Sequence, residues 1–323
     1  MSDVLIVGAT GQVGAQAVAF AQAKGHRVRA MVRSKDAVVH GATPEIVIGD
    51  LRDQASLRRA LDGIDVVVAT ANAILPVGGT STATALARDG YGALIAEAER
   101  AGVSQFVLAS VPSHPLERVV PELGAKRLIE TRLAASTMPW TIIRNPAFTD
   151  VWLVMAGAAE AASRHPHATT ARPFGFLKAW RSLTGRVVSR FGVLVAPGGA
   201  GHGAPFITTE DVARMLVGVI GRADAYNRIV EAGGPAWVTW GEVARLMSAR
   251  VGRRVRVVAM PAWLAAIGQA MLRPWPSASN VLGLVRFVAA YQPRWETPEA
   301  VAEFGLPPQI SVSQYLDRTW GVP

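Results

Sequence analysis

Three glycines at intervals of three residues stand near the start of the chain, in a pattern suited to binding phosphate. Gly8, Gly11 and Gly14 lie in the segment GATGQVG, which follows the apolar run 4–7 and precedes a helix-like pattern. Glycine lets the backbone approach a pyrophosphate, whose charge the N–H groups and positive dipole end of a helix stabilise. A tight strand-to-helix turn without a ligand is the alternative interpretation of the same spacing. We expect a dinucleotide to contact this loop at Gly8, Thr10, Gly11, Gln12, Val13 and Gly14.

The residues after the next two strand-like runs indicate which dinucleotide is bound. An acid at the end of the second strand favours NAD, whereas a cation there suits the 2′-phosphate of NADPH. The chain has Arg33 at this position and no acid, so we expect NADP(H) to be preferred over NAD(H). Lys35, two residues later, is interpreted as a solvated loop cation. Asp50 and Leu51 follow the third run, where Asp50 would accept from the adenine amino group or else cap a helix.

Strand-like and helix-like segments alternate through the first half of the chain. Apolar runs predict strands at 4–7, 27–32, 46–48, 64–69, 106–109 and 141–143, and helical patterns occupy 12–24, 54–61, 83–100 and 122–135. This alternation predicts an α/β fold with a Rossmann-type, doubly wound parallel sheet and right-handed crossovers. The carboxyl ends of its strands would carry the cofactor in extended form.

The alternation breaks after residue 148, which predicts a second domain. Residues 151–190 are interpreted as an inserted lid or a helical excursion, and strands are expected at 193–196, 228–232 and 254–258. Thr208 and Thr239 begin helices with capping-box spacing. We therefore expect a dinucleotide-binding core at 1–150 and a small C-terminal α/β lobe with a helical tail at 151–323, intertwined with the core as one compact unit.

The composition limits the classes of function. Half of the 323 residues are hydrophobic, which allows a large core, and the absence of cysteine excludes disulfides, thiolate metal sites and a cysteine nucleophile. His165, His167 and His202 lack a carboxylate at helical spacing, so no metal site is expected. The net charge of +9 comes from scattered arginines, so we expect small anionic ligands and no nucleic acid.

The apolar segments of the chain bear on its location. The longest, 262–272 and 281–291, are shorter than the roughly 20 residues that a membrane-spanning helix needs. The N-terminal residues lack the features of a signal peptide. We expect a cytoplasmic protein, and contact with a membrane surface stays open.

The order of several motifs resembles a known family. GATGQVG, VRS, GDL, FVLASVPS, AKRLIETRLAASTMPWTIIRNPAF, PFITTEDVARMLVGVI and IVEAGGPAWVTWGEVARLM follow one another between Val4 and about Pro261. In this they are similar to the extended and atypical short-chain dehydrogenases/reductases, and most of all to the NmrA-like and isoflavone-reductase-like group.

The resemblance implies a site at the ends of the later strands. Many members pair a serine after the fifth strand with Tyr-x-x-x-Lys, in which the tyrosine donates a proton and the lysine lowers its pKa and holds the nicotinamide ribose. Ser110 and Lys126 fit the serine and lysine positions, but Glu122 stands where the tyrosine would be. None of Tyr91, Tyr226, Tyr291 and Tyr315 precedes a lysine by four. Reduction of ordinary carbonyls is therefore not expected.

Other residues would line the cofactor. Thr70, Ala71 and Asn72 follow the fourth strand, where we expect them to line a ribose. After the sixth strand, the family places backbone contacts to the carboxamide and an apolar wall under the nicotinamide ring. In this chain the corresponding residues are Asn145, Pro146 and Phe148.

Three functions fit these residues. In the first, the protein is an NADPH-dependent reductase of a small apolar conjugated substrate, such as an enone, imine or quinone. Lys126 then orients the ribose and assists protonation, and Ser110 binds the substrate oxygen. His114 is a weak alternative to the missing tyrosine. In the second, it is a non-catalytic NmrA-like regulator. In the third, the cofactor is a structural part of a membrane-associated complex, and the basic, Trp-rich tail docks on a partner or on anionic lipid. The substrate and the oligomeric state are not predicted.

Overall fold

The computed structural model describes residues 1–71, 83–171, 175–292 and 298–320. The strands, in chain order, are β1 (Asp3–Val7), β2 (Arg27–Val32), β3 (Glu45–Ile48), β4 (Val66–Ala69), β5 (Gln105–Ser110), β6 (Trp140–Arg144), β7 (Val193–Pro197), β8 (Gly203–Ala204), β9 (Arg228–Glu231), β10 (Val238–Thr239) and β11 (Arg256–Met260). The helices are α1 (Gln12–Ala23), α2 (Gln54–Leu61), α3 (Ala83–Ala85), α4 (Gly92–Arg100), α5 (Pro121–Ala134), α6 (Thr149–Met155), α7 (Gly175–Thr184), α8 (Val187–Phe191), α9 (Thr209–Gly218), α10 (Trp240–Val251), α11 (Ala262–Met271), α12 (Pro276–Ala290), α13 (Pro298–Glu303) and α14 (Val312–Trp320).

A seven-stranded sheet in the order β3-β2-β1-β4-β5-β6-β9 forms the first structural unit. Each neighbouring pair is parallel, and β1 lies between β2 and β4. Residues 4–7 of β1 and all of β4 are apolar and buried, because a parallel sheet is covered by helices on both faces. This arrangement confirms the expected Rossmann-type α/β fold.

Local signals explain where the helices of this unit begin and end. Lys24 closes α1 and is followed by Gly25, whose φ of 83° only glycine adopts easily. Asp53 caps α2, since its side chain accepts from the amide of Ala55. Between α3 and α4 the chain continues as a π-helical segment, Leu86–Tyr91, where a single helix is predicted. Such segments are rare and are enriched at functional sites.

The two compact units do not follow the predicted boundary at residue 150. Unit 1 comprises residues 1–145, 209–232 and 300–306, and unit 2 comprises 146–208, 233–299 and 307–323. Placing residues 228–232 in the C-terminal lobe is wrong, because β9 pairs with β6 and completes the main sheet. The preceding helix α9 packs on α1, so the chain returns to the first unit before it enters the second again.

Unit 2 has its own core. β7 pairs in parallel with β11, and β8 pairs antiparallel with β10. Phe206 and Trp240 meet edge to face, with ring centroids 5.0 Å apart. Residues 151–190 are a helical excursion in their described part, formed by α6, α7 and α8. Within the ranges described, no helix is long and apolar enough to cross a membrane.

Candidate functional site

The glycine loop connects β1 to α1 through a tight turn. The Gly11 amide donates to the Gly8 carbonyl over 2.8 Å, and Gly8 has a φ of 91°, in the region that favours glycine. A Cβ on Gly8 would lie 2.7 Å from the Ala71 nitrogen, and one on Gly14 would lie 2.1 Å from the Gly8 carbonyl oxygen. Side chains at either position would therefore fill the turn.

The start of α1 is open to an anion. Gly11 is the N-cap residue and makes no side-chain capping hydrogen bond, so its position offers no competing acceptor. Thr10 and Val13 are half-buried beside it. The Gln12 side chain is buried, and its amide nitrogen donates to the Thr209 hydroxyl over 3.0 Å, joining α1 to α9. Gln12 therefore offers a ligand its backbone rather than its side chain.

The end of β4 supports the loop from the next strand. The Thr70 hydroxyl donates to the Val7 carbonyl over 3.1 Å, and its oxygen lies where side chains on Gly8 or Gly14 would be. The Ala71 carbonyl accepts from the Tyr91 hydroxyl over 2.5 Å. The third residue expected to line a ribose, Asn72, lies outside the described residues.

The ends of β2 and β3 carry the charges expected near an adenosine. Arg33 is exposed directly after β2 and forms no ion pair within the described ranges. Both oxygens of Asp50 accept from the Arg52 guanidinium, which lowers the pKa of Asp50 to about 2, with a smaller contribution from the charge of Arg33. Asp50 is therefore ionised at neutral pH. It does not cap α2, because Asp53 does so, and Leu51 is buried in the core.

Lys126 lies on α5, at the carboxyl end of β5. Its Nζ donates to the Ala109 carbonyl over 2.8 Å and lies 5.8 Å from the centre of the Tyr91 ring. Burial lowers the pKa of Lys126 to about 8, against a smaller opposing effect of Glu130. An amine with this pKa exchanges protons readily near neutral pH, which suits a group that assists proton transfer.

Ser110 is part of a partly buried ionic cluster formed by Ser110, Glu117, Arg127, Glu130, Arg144 and Glu231. The Ser110 hydroxyl is 1% exposed and donates to Glu130 over 2.5 Å. Arg127 and Arg144 both pair with the same carboxylate. In this arrangement the Ser110 proton is directed at Glu130 rather than at a bound substrate.

Replacing Glu130 should destabilise the fold. Glu130→Gln leaves Arg127 and Arg144 partly buried without their shared counter-charge, so we expect the free energy of unfolding to fall by about 2 kcal/mol. Glu45→Gln, which breaks an exposed pair with Arg29, is the matched control and should cost less than about 1 kcal/mol. Urea unfolding of both variants tests this, and equal losses would show that the cluster contributes no more than a surface pair.

The residues after β6 fall on both sides of the unit boundary. Asn145 is buried, and its backbone N–H donates to the Ser110 carbonyl over 3.1 Å, which holds the ends of β5 and β6 together. Pro146 and Phe148 belong to unit 2, and Phe148 precedes α6 and bridges to Ile207. Their expected contacts with the nicotinamide remain predictions. His114 caps a short helical turn, Pro115–Val119, where its Nδ1 accepts from the Leu116 amide.

Residues 8–172 of the 323 match a family described as NAD(P)H-binding. The match begins at the first glycine of the loop. It includes the strand ends that carry Arg33, Thr70 and Ser110, and Lys126 on α5. The chain belongs to this NAD(P)H-binding family. The match confirms the NAD(P)-binding family that the sequence motifs predict.

Known proteins similar to the chain have several functions. A photosystem II assembly factor of Trieres chinensis is 32% identical over 45% of this chain, which spans 46% of that protein's own length. An NAD(P)H azoreductase of Xenophilus azovorans is 26% identical over 80% of this chain and 77% of its own. An NADPH-dependent quinone oxidoreductase of Escherichia coli, solved with NADPH, is 18% identical, with a TM-score of 0.70 over 98% of this chain and 99% of its own. At that identity the likeness shows the fold alone.

Two features of this candidate site are not predicted from the sequence. Tyr91 stands 35 positions before Lys126, and only the packing of the π-helical segment against α5 brings them together. Burial raises the pKa of Tyr91, so it stays protonated. The second feature is the ionic cluster, in which Glu130 follows Arg127 by three positions on α5, a spacing that allows an ion pair on one helix face. That spacing was the available signal for the ionic cluster.

Proposed function

We propose that the protein is an NADPH-dependent reductase of a small apolar conjugated substrate. The observation that carries this proposal is the Lys126 amine, buried and held by the Ala109 carbonyl at the carboxyl end of β5. The glycine loop leaves β1 at the same edge of the sheet, with only β4 between the two strands. Cofactors of this fold bind across that edge, so we infer that the loop and the amine contact opposite ends of one ligand.

The residues of unit 1 fit the cofactor on three points. The turn at Gly8 and Gly14 is closed to side chains, and α1 begins without a side-chain cap, as a pyrophosphate requires. Arg33 is exposed at the strand end where a 2′-phosphate would lie. Lys126 would donate to the nicotinamide ribose either in place of its hydrogen bond to the Ala109 carbonyl or in addition to it. A bound NADPH would supply the hydride.

The residues of the chain favour a substrate whose reduction does not need the Tyr-x-x-x-Lys pair. The Ser110 hydroxyl already donates to Glu130, and no tyrosine stands four residues before Lys126. The usual proton donors of a carbonyl reductase are therefore missing. A quinone, enone or azo compound accepts a hydride into a conjugated system, and a proton from water or from Lys126 completes the reduction. The names of the quinone oxidoreductase and the azoreductase support this substrate class.

The choice between NADPH and NADH is tested at Arg33. Arg33→Ala removes the cation expected at the 2′-phosphate, so NADPH should bind roughly 10- to 100-fold more weakly, as for loss of a charge-assisted hydrogen bond. NADH affinity should stay the same. Lys35→Ala is the control, because Lys35 is exposed two residues away. Calorimetric titration of both variants with both nucleotides decides the question, and an equal loss for NADPH and NADH would remove Arg33 from phosphate recognition.

A cofactor-binding regulator or assembly protein is the second candidate. Two observations favour it. The Ser110 hydroxyl donates to Glu130, and the chain is 32% identical to a photosystem II assembly factor over 45% of its length. Such a protein would bind NADPH as described but leave it unreacted with acceptors. An NADPH-oxidation screen over quinones, enones and azo dyes separates the two functions, since only the reductase consumes cofactor in proportion to acceptor.

A further inference from the structure

Helix α11 exposes a continuous apolar face. Trp263, Ile267 and Met271 follow one another at intervals of four residues and are 65%, 50% and 71% exposed. Leu264 is also exposed on this face, and α11 contains no charged residue. Side chains four apart lie on the same side of a helix, so these residues form one apolar stripe in contact with water. Contiguous exposed patches of this kind mark interaction surfaces.

The opposite face of α11 packs on α12 within unit 2. Ala265 is buried, and a Cβ on Gly268 would lie 2.8 Å from the side chain of Leu282 on α12, so the two helices pack closely. The Ser279 hydroxyl on α12 donates to the Gln269 carbonyl of α11 over 3.0 Å. The α11–α12 hairpin is therefore held by its inner face. Its outer stripe stays largely exposed.

The surroundings of the stripe are basic. No Asp or Glu occurs between Glu242 and Glu296, whereas arginines recur throughout this stretch. In the described part of the chain, Arg254, Arg256 and Arg273 are exposed and make no ion pair. Arg273 lies between the two helices, next to Trp275, which is also exposed. This cationic region contrasts with unit 1, where most exposed arginines face a carboxylate.

We propose that the α11–α12 hairpin docks on an anionic lipid surface. The apolar stripe begins at Trp263, and Trp275 follows shortly after its end, so it inserts at the level of the headgroups, while the arginines that flank it in the sequence attract acidic lipids. The positive charge of this region favours lipid over a second copy of the chain, because two cationic surfaces without carboxylates would repel each other. Docking there would bring the proposed reductase close to its apolar conjugated substrates, since such molecules concentrate in membranes.

The test is co-sedimentation of the full-length chain with vesicles, with and without phosphatidylglycerol in phosphatidylcholine. We expect binding to the anionic vesicles that decreases with salt and is weak on phosphatidylcholine alone. The triple variant Trp263→Ser, Ile267→Ser, Met271→Ser should reduce the bound fraction at least about fivefold, because it removes the inserted stripe. Arg254→Gln with Arg256→Gln and Arg273→Gln should also reduce it, by removing the attraction to acidic lipid.

Leu183→Ser is the matched control, since Leu183 is 80% exposed on α7 in the same unit and lies outside the hairpin. It should bind vesicles as the wild type does, and NADPH titration checks that every variant is folded. The proposal is overturned by an absence of binding, by equal binding to phosphatidylcholine alone, or by unchanged binding of the triple variant. Self-association without vesicles that disappears in the triple variant would also overturn it and assign the stripe to a second copy.

Discussion

Lys126→Met should lower the rate of NADPH oxidation at least about 100-fold, the usual size of an effect on assisted proton transfer. Methionine keeps the length and apolar contacts of the lysine stem, so it removes the amine without opening a large cavity. The buried Nζ is held by the Ala109 carbonyl at the strand end, and no other lysine lies on α5. NADPH should bind somewhat more weakly, because one contact to the ribose is lost. Steady-state kinetics and titration separate these two effects.

Lys24→Met is the control for this result. Lys24 is exposed at the end of α1 and has no part in the proposed site, so its replacement should leave the rate unchanged. If Lys126→Met oxidised NADPH at the wild-type rate, Lys126 would be a structural residue, and the reductase would work without any assistance from it.

The same amine should give the reaction its pH dependence. The pKa of Lys126 is about 8 because burial disfavours the charged form. The ammonium form therefore predominates below this pH and is lost as the pH rises through it, so the rate should decline on the alkaline side. In Lys126→Met the alkaline decline should be absent. A decline that persists in the variant would come from another group.

Gly14→Ala should abolish NADPH binding and destabilise the fold. The added Cβ would lie 2.1 Å from the Gly8 carbonyl oxygen and 2.8 Å from the Thr70 hydroxyl, and the first of these is backbone that cannot turn aside. The turn must open, which we expect to cost about 3 kcal/mol of unfolding free energy, at the upper end for overpacking. Affinity should fall more than about 100-fold, because the displaced loop no longer directs the start of α1 at the phosphates.

Gly201→Ala provides the matched comparison. A Cβ on Gly201 meets no atom within 4 Å and the residue does not have a positive φ, so both stability and affinity should be unchanged. Thermal unfolding with and without NADPH measures both quantities in one experiment. If Gly14→Ala bound NADPH normally, the loop would be a structural turn and the cofactor would lie elsewhere.

Much of unit 1 is predictable from the sequence because its signals are local. The glycine loop and the burial of β1 and β4 each depend on residues within a few positions of one another. The family motif also singles out Lys126, whose Nζ donates to the Ala109 carbonyl of β5.

The features that escape prediction depend on distant contacts. Tyr91 reaches Lys126 only because the chain forms a π-helical segment within what the pattern predicts as one regular helix. β9 joins the main sheet after more than 80 residues of intervening chain, because α9 packs back on α1. The ionic partner of Ser110 likewise depends on how α5 is rotated against β5 and β6. Pairings of this kind have no signal in any short stretch of sequence.

The most direct test of the central claim is a single-turnover measurement. The protein is loaded with NADPH at a stoichiometric ratio and mixed with quinone, enone or azo acceptors, and the absorbance of the reduced nicotinamide is followed. We predict that the bound cofactor is oxidised by at least one acceptor class, and that Lys126→Met slows this step. Bound NADPH that stays reduced with every acceptor would contradict the proposed reductase and favour a cofactor-binding regulator.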